Sequence, residues 1–465
     1  MSSRTHAPIS SHQAGEGLSW TGIVRLGLVQ TALGAVIVLT TSTLNRIMVV
    51  ELALPVMLPG LLVGIHHVVQ LARPRIGHGS DIAGRRTPWI IGGMLLLAAS
   101  GFIAALGTVL MASSTWLGTL LAAVGFFGIG LGSGATGTSL LVVLAKEVAS
   151  PRKPAAATIV WFMMIFGFAV TAGTAGHFLD PYSPERLLLV TGTVSIIAVT
   201  VTLLAIRGLE QTQKINHSDS SQEQKAPIDF RRALAEVWQE SAARQFTLFV
   251  LISMLAYSFQ DLILEPFAGL VFGMTPGEST QLSGTQHAGV MLGMLAVAAS
   301  GSLAKRRGAQ LLRFWTVGGC IASALALFGL VWGGLNPAAW NLSANVFVLG
   351  FTNGAFAVAA IASMMMLASQ DGQGREGLRM GLWGAAQAIA FAVGGFTGTV
   401  AVDITRQWVA DPAHAYGATF IVEAMLFIAA ARLGAGVKVQ QQAMTSAATP
   451  TFGQVAAHEI LADSR

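Results

Sequence analysis

The sequence predicts an all-α membrane protein of twelve transmembrane helices arranged as two six-helix halves. Three observations predict it. Of the 465 residues, 53% are hydrophobic and 11% charged, against about 25% charged in a soluble chain. The apolar residues fall in blocks of roughly 20, the helix length that crosses a bilayer core. One long polar stretch, 207–245, divides those blocks six and six. A large soluble protein would need a solvated charged face on its helices, and most of these segments lack one.

The polar N-terminus, residues 1–21, comes first. MSSRTHAPISSHQAGEGLSW has no short apolar core followed by a cleavage site, so no signal peptide is expected. The first half, 22–206, holds blocks at 22–44, 52–72, 88–111, 116–144, 155–179 and 186–206. In the linker, SDSSQEQKAP has the composition of a flexible segment. The following IDFRRALAEVWQESAARQ can place Ile228, Leu234, Val237 and Trp238 on one helical face. That suits either a helix lying on the membrane surface or a solvated linker helix. The second half, 246–434, holds blocks at 246–272, 284–304, 311–333, 340–368, 378–402 and 414–434, and residues 435–465 form a tail.

Basic residues set the orientation. Arg73, Arg75, Arg85 and Arg86, then Lys146, Arg152 and Lys153, then Lys214 to Arg244, then Lys305, Arg306, Arg307 and Arg313, then Arg375 and Arg379 occupy alternate loops. The opposite side carries only Arg46, Arg186 and Arg406. Both termini are therefore expected in the cytoplasm. The net charge of +5 reflects these loops and gives no reason to expect a nucleic-acid partner.

Ionisable groups inside a bilayer are expensive, so each is a functional candidate. The set is Asn45, Arg46 and Glu51 in span one; His66 and His67 in span two; His177 in span five; Gln260, Asp261 and Glu265 in span seven; His287 in span eight; Asn353 in span ten; and Glu423 in span twelve. His66 and His67 are about 100° apart on a helix and cannot share a face. Each suits either an interhelical hydrogen bond or axial ligation of a metal in a macrocycle. Arg46 and Glu51, five apart, are offset on an α-helix; they pair with each other, pair with span two, or snorkel to the interface. Asp261 and Glu265, at i and i+4, share a face and form a candidate proton-coupling pair, with Pro266 expected to kink or break the helix there. Glu423 is a candidate partner for a buried basic group.

Other motifs point to packing. Gly128-Ile129-Gly130-Leu131-Gly132-Ser133-Gly134 lies in an apolar span and suits close helix approach. Met364-Met365-Met366 point in three directions and do not make a metal site, and the single cysteine, Cys320, is a packing residue. There is no Walker loop, nucleophile elbow or H-E-x-x-H, so no enzyme is expected.

The loop Gly77-His78-Gly79-Ser80-Asp81-Ile82-Ala83-Gly84-Arg85-Arg86 follows the second span. It resembles the G-x-x-x-D-x-x-G-R-R signature of the major facilitator superfamily. The resemblance implies that Gly77, Asp81, Gly84, Arg85 and Arg86 form a conformational latch. Gly allows the tight turns, and a helix dipole favours the Asp. After span eight, Gly301-Ser302-Leu303-Ala304-Lys305-Arg306-Arg307-Gly308 echoes it, with Lys305 in place of the aspartate. Such an echo is expected of two homologous halves.

Longer strings are more specific. They are Leu44-Asn45-Arg46-Ile47-Met48-Val49-Val50-Glu51-Leu52, Pro55-Val56-Met57-Leu58-Pro59-Gly60, Arg73-Pro74-Arg75-Ile76-Gly77-His78-Gly79-Ser80-Asp81 and Gly84-Arg85-Arg86-Thr87-Pro88-Trp89-Ile90-Ile91-Gly92-Gly93-Met94. They resemble the PucC/LhaA, or bacteriochlorophyll delivery, family of phototrophic bacteria, within the major facilitator superfamily. The resemblance implies a role in assembling photosynthetic light-harvesting antenna complexes in the bacterial inner (intracytoplasmic) membrane. It implies bacteriochlorophyll as a bound client, with antenna α/β peptides, late pigment-biosynthetic enzymes and membrane lipids as partners. Ligand chemistry then makes His66 or His67 the first candidate for the magnesium of the pigment, with His177, Asn45, Arg46 and Glu51 as further pigment-site candidates. Two other readings stay open, a proton-coupled small-solute transporter and a pigment-free scaffold for antenna peptides. Phe (23) and Trp (10) far outnumber Tyr (3), which favours an apolar client.

Overall fold

A computed structural model describes residues 18–70, 86–148, 152–209, 238–303, 308–369 and 376–436. Among them there are helices and no strands. In order these are α1 (Trp20–Val38), a π-helical turn (Leu39–Thr43), α2 (Leu44–Arg46), a second π-helical turn (Ile47–Glu51), α3 (Met57–Val69), α4 (Thr87–Leu110), α5 (Thr115–Glu147), α6 (Lys153–Leu179) and α7 (Pro184–Ile206). Then come α8 (Ser241–Phe259), a 3₁₀ turn (Gln260–Leu262), α9 (Leu264–Phe272), α10 (Pro276–Leu303), α11 (Gly308–Leu335), α12 (Leu342–Ser369), α13 (Glu376–Trp408) and α14 (Pro412–Gly436). Helices satisfy their backbone groups within one segment, as a bilayer core demands.

Nine described helical segments are long and apolar enough to cross a membrane. The expected spans 52–72, 284–304 and 378–402 fall on α3, α10 and α13. The described part of α3 is 13 residues. α10 and α13 have ample length, but Gln281, Ser283, Gln286 and His287 in the one, and Arg379, Gln387 and Asp403 in the other, lower their apolar character. Large apolar side chains face outward on the long helices, among them Ile196, Leu189, Leu325 and Trp332. That is the surface expected of helices bathed in lipid.

Contacts divide the chain into two units. One holds residues 1–40 and 65–219, the other 41–64 and 220–465. The boundary at the linker is where the sequence places it. Residues 41–64 depart from the expected 22–206 half, because they pack with the second unit. Taking α1 as the first span, the first unit pairs its first span with its fifth and sixth (α1 with α6 and α7) and its third with its fourth and sixth (α4 with α5 and α7). The second unit repeats all four pairings, with α8 against α13 and α14 and α11 against α12 and α14. The repeat hinted at by the two glycine-basic loops is thus carried by the helix packing.

Helix ends follow local chemistry. Ser19 caps α1 by accepting from Gly22 N, and Ser183 caps α7 by accepting from Arg186 N. Pro sits in the first turn of α4, α6 and α7, where its missing N–H is no loss. The N-terminus of α3 borrows its cap from α13, as Asp403 accepts from Val56 N at 3.1 Å and Met57 N at 2.7 Å. This charge-assisted cap joins two elements of the second unit. We expect Asp403→Ala to cost about 1 kcal/mol and Asp403→Asn less, since the amide keeps one acceptor. Thermal unfolding in detergent checks both.

Small residues set the close approaches. Gly132 of α5 lies against Leu97 and Gly93 of α4, where a Cβ would come within 2.5 Å of Leu97 N. Gly128 packs on Ser100, and Gly130 on the carbonyl of His66. The glycine string of span four is a packing motif. Cys320 is buried in the second unit's core.

Candidate functional site

The signature string Asn45-Arg46 to Glu51 lies on the two π-helical turns and the α2 turn between them. A π-turn bonds i to i+5, as Leu52 N does to Ile47 O at 3.0 Å. The wider winding of a π-turn reduces the offset expected on an α-helix. Arg46 Nη1 therefore donates directly to Glu51 Oε1. Its Nη2 donates to the carbonyl of Met274 at 2.5 Å. Arg46 is 2% exposed, whereas the Glu51 side chain is 33% exposed, so the ion pair is dry at one end only.

The pair sits in a polar cluster of the second unit. Asn45 Nδ2 donates to Leu262 O at 2.7 Å. Ser42 and Ser283 hydroxyls bond at 3.1 Å, as do Thr43 and Thr280. Glu265 is 3% exposed, faces Ser42, Ser283 and Arg46, and lies four residues before Gly269. A Cβ on Gly269 would stand 3.1 Å from Arg46 Nη2, so glycine makes the room in which the guanidinium lies. His287, one turn beyond Ser283 on α10, bonds through Nδ1 to the Ser283 carbonyl at 2.8 Å.

The expectation that Asp261 and Glu265 share a face is corrected. The helix breaks between them, with Asp261 in a 3₁₀ turn and Ile263 at φ −108° before α9 begins. Pro266 falls in the first turn of α9, where it is tolerated, so the break precedes it. Asp261 is exposed and Glu265 buried. Glu423 is also corrected. It is fully buried, with no hydrogen-bond partner for either oxygen. The charge it feels is Asp261, another acid, and not a basic group. Asn353 accepts from Ser323 at 2.8 Å, an interhelical bond between α12 and α11.

The two histidine rings meet edge to face at 4.8 Å but differ in burial. His66 is 2% exposed, and His67 on the adjacent face is half-buried. Gln70 Nε2 lies 2.8 Å from His66 Nε2. That contact engages the ring nitrogen at Nε2, and Nδ1 is buried. A magnesium macrocycle needs a free imidazole lone pair and an open face. His66 supplies neither, and of the two His67 is the one that reaches the surface. His177, in the last turn of α6, is exposed and edges the ring of Phe178. It belongs to the first unit, whereas the Arg46 cluster belongs to the second. Among the described residues no group of three or more His, Cys, Asp or Glu is placed to hold a metal ion.

Of the expected latch loop, Gly77, Asp81, Gly84 and Arg85 lie outside the described residues. Arg86 is 7% exposed at the N-cap of α4. Lys305 and the residues Ile228, Leu234 and Val237 also lie outside them. Sequence reasoning missed Ser42, Ser283, Gly269 and Asp403. The hydroxyl run Thr40-Thr41-Ser42-Thr43 inside an apolar span was the available signal for the first.

The fold is that of the major facilitator transporters. A bacterial homologue of the lysosomal transporter Spinster, in its inward-facing and unoccupied conformation, superimposes with a TM-score of 0.65 at 13% identity, covering 89% of this chain and 95% of that one. A D-xylose–proton symporter does so at 0.66 and 13% identity, covering 91% and 98%. Within that class the chain belongs to the PUCC protein family, whose profile matches residues 43–442. The "Bacteriochlorophyll synthase 44.5 kDa chain" of Rhodobacter capsulatus is 51% identical over 420 residues, 90% of this chain and 96% of that one. "Protein PucC" of Cereibacter sphaeroides is 29% identical over 399 residues, covering 82% and 83%.

Proposed function

We propose that this protein is a membrane assembly factor for light-harvesting antenna complexes, which binds bacteriochlorophyll and passes it to antenna α/β peptides without catalysing a reaction. One observation carries the reading: 51% identity, along nearly the whole chain, to a relative named for bacteriochlorophyll synthesis. Membership of the PUCC family supports it. In this reading the protein works in the inner photosynthetic membrane with both termini in the cytoplasm, beside late pigment-biosynthetic enzymes. The Gly77–Arg86 loop, with Asp81, latches one conformation.

His67 is the residue proposed to hold the pigment. Magnesium in the bound macrocycle takes one axial donor, and a neutral imidazole supplies it. His66 is turned inward, engaged by Gln70 one turn along the same helix, and does not reach the pigment. The outward apolar side chains of the helices suit an apolar client arriving from lipid.

The test is an absorption spectrum of the protein purified in mild detergent from a host that makes bacteriochlorophyll but lacks antenna peptides. A near-infrared band is expected to copurify with wild type and His66→Phe and to fall severalfold in His67→Phe. Well-folded wild type without pigment would sink the carrier reading and leave the pigment-free scaffold. Proton-coupled transport of a small solute is the second reading, favoured by the buried Arg46–Glu265 cluster. Solute-dependent proton flux in proteoliposomes would support it.

A further inference from the structure

We propose that Glu265 is a proton-binding site, built into the buried cluster around Arg46 and loaded when the cluster is at rest. The inference is independent of the client assigned above.

Charge and geometry carry it. Arg46 is the cation that Glu265 faces. An independent contact puts the guanidinium on this side of α9, because a Cβ on Gly269, one turn on, would lie 3.1 Å from Nη2 and 3.2 Å from Nε. That guanidinium is already engaged. Nη1 serves Glu51 and Nη2 serves the Met274 carbonyl. Two carboxylates thus share one positive charge, and the one 3% exposed is the one left without an ion pair.

The other groups facing Glu265 do not supply the missing charge. Ser42, from the π-helical turn, and Ser283, from α10, are neutral and bond to each other. Half-buried His287, a turn further along α10, is tied through Nδ1 to the Ser283 carbonyl. Neither Glu265 oxygen makes a hydrogen bond in this arrangement. An ionised carboxylate buried so is heavily penalised, while a neutral carboxyl is tolerated. A proton neutralises the cluster without needing volume. A metal cation would stand beside the Arg46 charge and find two of its donor hydroxyls paired to each other. Loss of the proton makes Glu265 a competitor with Glu51 for Arg46, which ties the occupancy of this site to the hold on the π-helical segment.

The experiment is infrared difference spectroscopy between acid and alkaline buffer on full-length protein in lipid nanodiscs. Wild type, Glu265→Gln and Asp261→Asn are compared, each in a Glu423→Gln background, because Glu423 is a second fully buried carboxyl. The expected result is a protonated-carboxyl stretch that disappears in alkali in wild type and Asp261→Asn and is absent from Glu265→Gln. Its absence from wild type, or its survival in Glu265→Gln, overturns the proposal. If Glu265→Gln does not fold, Glu265→Asp must shift the band's frequency, and an unshifted band overturns it equally. A band whose loss depends on sodium rather than choline in the buffer overturns the proton as the ligand.

Discussion

Arg46→Leu is expected to lower the stability of the protein by about 3 kcal/mol, the low end of the range for breaking a buried ion pair. The low end applies because Glu51 keeps 33% of its side chain in solvent and is partly rehydrated when its partner goes. The rest of the loss is local. The Met274 carbonyl loses its donor, and the space Gly269 leaves for the guanidinium is refilled by a shorter side chain. Arg46→Lys should fall between the two, since a single ammonium cannot reproduce the planar fork that serves Glu51 and Met274 together. Glu51→Gln should cost about as much as Arg46→Leu, since it leaves the 2% exposed Arg46 guanidinium without its counter-charge. Melting curves in detergent, with the monodisperse fraction, read the series. An Arg46→Leu protein that melts with wild type would show that the pair does not hold the π-helical segment.

Gly354→Ala is expected to do comparable damage with one methyl group. α10 and α12 cross through two G-x-x-x-G pairs, Gly289 with Gly293 and Gly350 with Gly354. A Cβ would fall 2.1 Å from the Val290 carbonyl at Gly354 and 2.0 Å from the Phe351 carbonyl at Gly293. These are backbone atoms, which cannot rotate aside, so the helices must separate along the contact. Overpacking of this kind costs about 1–3 kcal/mol. Gly318→Ala on α11 is the control, because nothing lies within 4 Å of the added atom, and a helix prefers Ala to Gly by about 1 kcal/mol. The two alanine variants should move the melting temperature in opposite directions.

Much of the fold was legible because bilayer thickness sets helix length and hydrocarbon selects composition. The expected spans land on α1 to α14, and the linker falls where polarity rises. Close packing at Gly128 and Gly132 was legible for the same reason, since small residues in an apolar span have little else to do. The site was legible only in its residue types. Asn45, Arg46, Glu51, Glu265 and Glu423 were visible as costly charges or amides, but not their partners.

The sequence by itself determined that the chain is a bundle of membrane helices with a repeated half and charged residues set inside it. Tertiary structure alone decided which of those residues meet. Two π-helical turns, invisible to a 3.6-residue period, bring Arg46 onto Glu51. A 3₁₀ break parts Asp261 from Glu265. Residues 41–64 join the second unit through bonds to groups more than 200 residues away, such as Asn45 to Leu262 and Met57 to Asp403. Local spacing cannot encode such pairings, because a buried polar group takes whichever partner the packing of distant helices brings within reach.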